Sequence, residues 1–336
     1  MSNARKLADN LPTEGQLSGR NAITNGGMTV DQRNSGSATT PTADRTYTLD
    51  RWMARLNNAS KYSVQQVTDA PSGYYNSLKV TSAAATTVGS TDYYQINTIV
   101  EGYNLTAFDF GLSTAKKLTL SFWVKSSLTG TFAGSYSNNA GNRFYAWTYT
   151  ISSANTWEHK TITVDGVTDG SWERTNGSGL WVYWTLGAGS GMTATAGSWG
   201  TTFKRGVTGA INVVETNGAT LQITGVQLEV GSQASSFEHE PYSVSLAKAQ
   251  RYYQLSHTNG QGYVNANQHV GVRGTYRTEM RVAPTVTLTL NSSNENNMSG
   301  SPAVHINGTH GYYGYFTANN AGNYYYYYNG VSDAEL

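Results

Sequence analysis

From residue 21 to about residue 240 the apolar positions recur every second residue, the spacing that turns one face of an extended chain inward. In Leu118-Thr-Leu-Ser-Phe-Trp-Val124 the residues Leu118, Leu120, Phe122 and Val124 share one face, and Trp123 takes the other. His159-Lys-Thr-Ile-Thr-Val164 alternates in the same way and stops at the turn pair Asp165-Gly166. In Leu221-Gln-Ile-Thr-Gly-Val-Gln-Leu-Glu-Val230 the inward set passes from Leu221 and Ile223 to Val226, Leu228 and Val230. The phase slips at Gly225, where a β-bulge is expected. Turn clusters such as Ser137-Asn-Asn-Ala-Gly141 separate the short strands. The pattern predicts an all-β fold whose main part, residues 21–240, is an antiparallel jelly-roll-like β-sandwich.

Helical spacing occurs once in this part of the chain, with Leu246, Ala249 and Tyr253 following Pro241, and predicts a short linking helix within 241–255. Residues 256–336 then form a small C-terminal β domain. Thr285-Val-Thr-Leu-Thr-Leu290 alternates strictly there, and the run Tyr324 to Tyr328 places rings on both faces of any strand it forms. Gly311 and Gly314 interrupt the pattern around Tyr312, Tyr313 and Tyr315, so this stretch reads as a loop, as do the polar segments Asn291 to Ser301 and Thr317 to Asn323. Residues 1–20 are polar, with one helical possibility at Ser2 to Asp9, and read as an anchoring arm that carries Arg5, Lys6 and Leu7.

Charge narrows the function classes. Among 336 residues, 22 Lys and Arg stand against 21 Asp and Glu, a formal charge of +1. The basic excess of a nucleic-acid-binding domain is missing. With no Cys, neither a disulfide framework nor a thiolate metal site is available. No run of eighteen apolar residues suggests membrane insertion, and the first residues lack the apolar core of a secretory signal, so synthesis in a cytoplasm is expected.

The aromatic content offers the clearest chemistry. Saccharides are held by stacking their apolar faces on aromatic rings and by hydrogen bonds that gain little net free energy each. Residues 136–203 hold the densest supply of rings, and in Leu180-Trp-Val-Tyr-Trp-Thr-Leu186 the set Leu180, Val182, Trp184 and Leu186 faces the core if Trp181 and Tyr183 point outward. Trp181, Tyr183 and Trp123, with Tyr312, Tyr313, Tyr315 and His310 of the C-terminal domain, are the candidate glycan contacts. Asp109, Asp165, Asp169, Glu173 and Glu229 show no spacing that singles out a catalytic pair. His239 in Glu238-His-Glu240 lacks the convergent ligands of a zinc site, and Gly187-Ala-Gly-Ser-Gly191 lacks the Lys of a phosphate loop. No metal, no cofactor and no enzymatic activity are expected.

Several segments together resemble one family. Ile23-Thr-Asn-Gly-Gly-Met-Thr-Val-Asp-Gln-Arg33, Asp50-Arg-Trp52 and the Leu118 to Val124 strand are similar to the carbohydrate-module-like sandwiches of bacteriophage tail fibres and related virion proteins. Ile223 to Gly231, Phe237-Glu-His-Glu-Pro-Tyr242 and Ala249-Gln-Arg-Tyr-Tyr253 resemble their closing strand and exit helix. The resemblance implies a homotrimeric virion protein, made in the host cytoplasm and released by lysis. It implies adsorption to host surface polysaccharide, with other virion proteins as partners of the arm. A purely structural virion component is the alternative expectation, and a polysaccharide depolymerase a weaker one.

Overall fold

The structure, a computed structural model, describes residues 18–290 and 296–336, the side chains of 298–301 excepted. The proposed anchor positions Arg5, Lys6 and Leu7 and the helical reading of Ser2 to Asp9 lie outside the described residues. The fold is all-β and divides into two units between Ser245 and Leu246.

In the first unit the strands run β1 (Thr46–Leu49), β2 (Trp52–Leu56), β3 (Tyr62–Val67), β4 (Ser77–Ser82), β5 (Tyr93–Glu101), β6 (Leu118–Ser126) and β7 (Gly130–Asn138). They continue as β8 (Phe144–Ile151), β9 (Glu158–Val164), β10 (Ser178–Ala188), β11 (Thr193–Ala194), β12 (Trp199–Gly200), β13 (Gly206–Val207) and β14 (Thr220–Val230). One sheet has seven strands in the order β1-β2-β5-β10-β7-β8-β12, and the other five in the order β3-β4-β14-β6-β9. All pairings within these two sheets are antiparallel. Non-consecutive neighbours in both sheets make this a sandwich built by crossovers.

Alternation decides which side chains fill the space between the sheets. Leu118, Leu120, Phe122 and Val124 from β6 meet Leu180, Val182, Trp184 and Leu186 from β10 in one buried cluster. Trp184 lies at the middle of it, with Trp52, Phe122 and Trp147 at ring-centroid distances of 5.4, 5.5 and 5.9 Å. The slip in β14 falls where the sequence places it: Gly225 has φ +60°, and the register with β6 shifts between Thr224 and Gln227.

The sandwich begins before residue 21. The backbone N–H of Gly19 donates to Glu238, Arg20 Nε donates to Ser235 Oγ, and Ala22 N–H pairs with the Leu228 carbonyl beside β14. Residues 19 and 20, expected in the arm, therefore belong to the sandwich, because the outer face of β14 carries the buried Glu229 and requires cover.

The helix expected up to Leu255 is shorter, Tyr242–Gln250, and Tyr253 and Leu255 lie in a strand. Tyr253 and Gln254 are drawn out of the helical pattern by a long antiparallel partner, opposite Asp333 and Ser332. The second unit consists of β15 (Tyr253–Val264), β16 (His269–Thr275), β17 (Thr285–Leu290), β18 (Met298–Asn307), β19 (Gly311–Ala318) and β20 (Gly322–Asp333), in two sheets ordered β15-β20-β17 and β16-β19-β18. Gly311 and Gly314, read as loop signals, lie within β19. A Cβ on Gly314 would come 2.5 Å from the Ala303 carbonyl oxygen, so glycine there permits close strand approach and does not break the strand. Asn291 to Ser301 is likewise strand from Met298 onward. In β20 the tyrosines divide by face: Tyr326 and Tyr328 are buried with Phe316, Val270 and Val272, and Tyr325 is exposed.

Candidate functional site

The seven-stranded sheet turns its second face away from the core, and β10 contributes Trp181, Tyr183 and Thr185 to it. Register places Ile99 and Ser137 on either side of Trp181, and Asn97 and Ser135 on either side of Tyr183. The two rings stack nearly parallel, centroids 6.0 Å apart at 12°. Their direction is as the alternation requires, but the expectation that they are exposed is overturned: Trp181 and Tyr183 are 4% and 3% accessible.

Two segments cover them. Before and within β2, the Arg45 guanidinium lies 5.3 Å from the Trp181 ring, and that of Arg55 lies 5.3 Å from Trp181 and 5.9 Å from Tyr183. The stretch between β12 and β13 brings Phe203 to 5.6 Å from Tyr183 and Arg205 over Tyr93 at 4.0 Å. It is anchored to the sheet, since the Arg205 carbonyl accepts hydrogen bonds from Gln95 Nε2 at 2.8 Å and Thr185 Oγ1 at 2.6 Å. Guanidinium groups suit this position because they stack on aromatic faces and are weakly hydrated.

The charges on this face do not balance. Arg55 makes a bidentate pair with Asp44, Nε to Oδ1 at 2.8 Å and Nη2 to Oδ2 at 3.2 Å. Among the described residues Arg45 and Arg205 have no carboxylate partner, and Arg205 Nη1 instead donates to the neutral Gln95 Oε1 at 3.2 Å. Burial, and after it the nearby charge of Arg55, holds the Arg205 guanidinium below its ordinary value. For Arg55 burial acts downward too, but the hydrogen bond and charge of Asp44 outweigh it and raise the group.

Polar groups on the floor are also unmatched. Both carboxamide atoms of Asn97 and the hydroxyl of Ser135, fully buried beside Tyr183, have no hydrogen-bond partner among the described residues. Buried polar atoms are rarely left so, because each costs about 1–3 kcal/mol of desolvation. The covering segments close this floor, so a ligand that supplies hydrogen-bonding groups to it and negative charge to the rim has to displace them.

The other expected contacts lie elsewhere. Trp123 is half-buried on the outer face of the five-stranded sheet, 5.3 Å from His159. In the second unit Tyr312 turns inward and is 4% accessible, which removes it from any surface platform. Tyr313 lies under Arg273 at 5.3 Å, and Tyr315 sits between His269 and His305 with both ring distances 4.1 Å. His310 is exposed, 3.7 Å from Glu279. Of the aromatics of 136–203, Tyr136, Phe144, Trp147, Tyr149 and Trp184 are buried, and Tyr145, Trp172 and Trp199 are half-buried against the core.

The carboxylates are dispersed among structural tasks. Asp165 pairs with Lys117 and Asp169 with Arg143. Glu173 accepts backbone N–H groups of Arg174 and Thr175. Glu229 is buried, with Gln227 and Ser235 donating to it. Among the described residues no three His, Asp or Glu side chains converge as metal ligands would.

No protein-family model matches the chain, and no curated protein matches it. Solved structures overlap it in part, among them carbohydrate-binding β-sandwiches and a phage tailspike. The tailspike protein 4 of bacteriophage CBA120 aligns at 12% identity and TM-score 0.36 over 62% of this chain and 21% of its own. The family 11 carbohydrate-binding module of a Clostridium thermocellum cellulosomal cellulase aligns at 11% identity and TM-score 0.30, covering 61% of this chain and 99% of the module. The N-terminal cellulose-binding domain of Cellulomonas fimi β-1,4-glucanase C gives 12% identity and TM-score 0.28, covering 60% and 98%. The chain thus spans about a fifth of that solved chain, the tailspike's enzymatically active domain. At these scores the overlaps place no residue of the site.

Proposed function

We propose that this chain is a non-catalytic, glycan-binding component of a phage virion, a tail fibre protein that adsorbs to host surface polysaccharide through the second face of the seven-stranded sheet. The observation that carries the binding site is the unmatched floor and rim together: Asn97 and Ser135 without partners beside the Trp181–Tyr183 stack, under Arg45 and Arg205 without carboxylates. A saccharide bearing a carboxylate meets both needs once the Phe203–Arg205 stretch lifts from the sheet, with its charge on the guanidinium groups and its hydroxyls toward Asn97 and Ser135. A charge-assisted hydrogen bond of this type contributes about 1.5–3 kcal/mol, so each arginine accounts for tenfold or more in affinity.

The virion assignment rests on the sequence resemblance of residues 23–33, 118–124 and 223–253. Homotrimerisation is supported by the small core of the second unit, which leaves Tyr325 exposed on β20, and attachment to other virion proteins is assigned to the N-terminal arm. A purely structural virion role is the second reading, favoured by the cover over Trp181 and Tyr183.

Calorimetric titration with uronic-acid oligosaccharides and with their carboxyl-reduced neutral forms tests the binding site. Binding of the acidic forms, lost tenfold or more in Arg45→Ala and Arg205→Met, supports it. Failure of every oligosaccharide, acidic or neutral, overturns it in favour of the structural role. Immunogold labelling of particles tests the virion assignment, and release of reducing ends from host polysaccharide contradicts the non-catalytic reading.

A further inference from the structure

On the first unit a cleft of about 230 Å³ opens between the turn after Asn25, the Tyr74–Tyr75 pair and the closing segment Phe237 to Tyr242. Three rings form its wall. Tyr74 meets Phe237 at 5.3 Å and His239 at 5.2 Å, and Phe237 meets His239 nearly edge-on at 4.9 Å and 76°. Two more rings stand at its mouth, Tyr75 at 74% and Tyr242 at 59% accessibility. Tyr74 is held in place by packing, since its ring lies over the Gly225 bulge.

The polar groups inside point to a particular ligand chemistry. The Asn21 carboxamide donates one N–H to the Val226 carbonyl, and its oxygen is saturated by the Ile23 and Leu228 N–H groups. Asn25 donates to the Val30 and Asp50 carbonyls and accepts from the Val30 N–H. A neutral sugar would find few of the free hydrogen-bonding atoms it needs. What the cleft does offer is aromatic surface and the carboxylate of Glu238, and among the described residues no Lys or Arg lines it. Glu238 accepts the neutral backbone N–H groups of Gly19 and Asn21, at 2.5 and 3.0 Å, and among the described residues no ion pair cancels its charge.

We propose that this cleft binds a compact organic ammonium, its cationic head against the Tyr74, Phe237 and Tyr242 rings and within the field of Glu238. Ring faces attract cations through their quadrupole, and the attraction grows where water is excluded. The size agrees, since about 230 Å³ is below the range of pockets that take drug-sized ligands and suits one small head group. A choline-type quaternary ammonium and a protonated amino sugar share this chemistry. The site is separate from the arginine-covered face, so the two stand or fall independently.

The test is titration of the full chain with choline chloride and with glucosamine, against two uncharged controls, 3,3-dimethylbutan-1-ol as the carbon isostere of choline, and glucose. Binding of either ammonium at least tenfold more tightly than its uncharged counterpart is expected, and which of them binds identifies the source. Glu238→Gln, which keeps a side-chain oxygen for the backbone, is expected to weaken it at least fivefold. If Glu238→Gln lowers the melting temperature, Tyr242→Leu at the exposed mouth takes its place, with the same fivefold loss expected. Equal binding of ammonium and isostere, absence of binding by both ammonium probes, or full affinity in these variants overturns the proposal.

Discussion

Phe122 of β6 meets Trp184 of β10 edge to face across the gap between the two sheets, ring centroids 5.5 Å apart and planes at 89°. One residue earlier on β10, Tyr183 faces the other way, toward the Arg55 guanidinium. The two faces of β10 should therefore respond differently to truncation. Trp184→Ala is expected to cost about 3–5 kcal/mol through an unfilled core cavity. Trp181→Ala should cost about 1–2 kcal/mol, because the exposed Arg45 guanidinium above it can turn to water while Asp44 keeps Arg55 paired. Urea unfolding followed by tryptophan fluorescence checks both.

A second expectation concerns buried hydroxyls in the same core. Tyr149 packs against Phe122 and Phe132, and its hydroxyl has no hydrogen-bond partner among the described residues. Burial pushes its phenol well above the ordinary value, which keeps it neutral. Tyr149→Phe removes an unpaired polar atom without changing the ring, and the unfolding free energy should rise by about 1 kcal/mol.

The end of the arm is expected to matter for folding. Arg20 Nε lies 4.0 Å from Glu229, whose side chain is fully buried. Removing residues 2–17 should leave the melting temperature unchanged. Arg20→Ala leaves a buried carboxylate without its cation and should cost about 3 kcal/mol. Differential scanning calorimetry of the two proteins separates an arm that only anchors from one whose last residues close the sandwich.

Gly225→Ala should disturb both the strand and the ammonium cleft. Gly225 has φ +60°, and an added Cβ would come 2.7 Å from the Tyr74 ring. Left-handed backbone and the displaced ring together should cost about 1–3 kcal/mol. A lowered melting temperature is expected together with weaker choline binding in the surviving folded protein.

The Asp44–Arg55 pair gives a pH dependence. Burial acts to raise the Asp44 carboxyl, but the hydrogen bond and charge of Arg55 carry it below the ordinary carboxylate value. A carboxyl lowered on folding stabilises the ionised folded state. That contribution is complete above the unfolded value of about 4 and is lost as pH falls through the folded value. The difference in urea midpoint between the parent and Asp44→Asn should be constant from neutral pH to about pH 5 and shrink below about pH 4.

Alternation along single strands is what the sequence displays most directly. The facing of Leu118 to Val124, the slip at Gly225 and the opposite directions of Trp181 and Trp184 all follow from period two. The cover over Trp181 does not, because Arg45 and Arg55 arrive from more than a hundred residues earlier and Phe203 and Arg205 from a segment after the strand. No local spacing marks that convergence. The cleft is hidden for the same reason, since Tyr74 and Phe237 meet only when the closing segment folds back. Gly314 misleads in the opposite direction: glycine is required there by a neighbouring backbone and not by a turn.

The central place of β20 has a consequence for biogenesis. It pairs with β15 along twelve positions, from Tyr253 opposite Asp333 to Val264 opposite Gly322, and with β17 from Thr285 opposite Asp333 to Leu290 opposite Tyr328. As the ribosome delivers the chain in order, β15 and β17 emerge first and have no ladder to join, because the strand that lies between them is made later than both. Their backbone edges and the apolar face they share must wait, open to chance pairing with other nascent chains. Closure over such sequence distances is slow, so the yield of this unit should depend on expression temperature and on chaperones that shield strand edges during that interval.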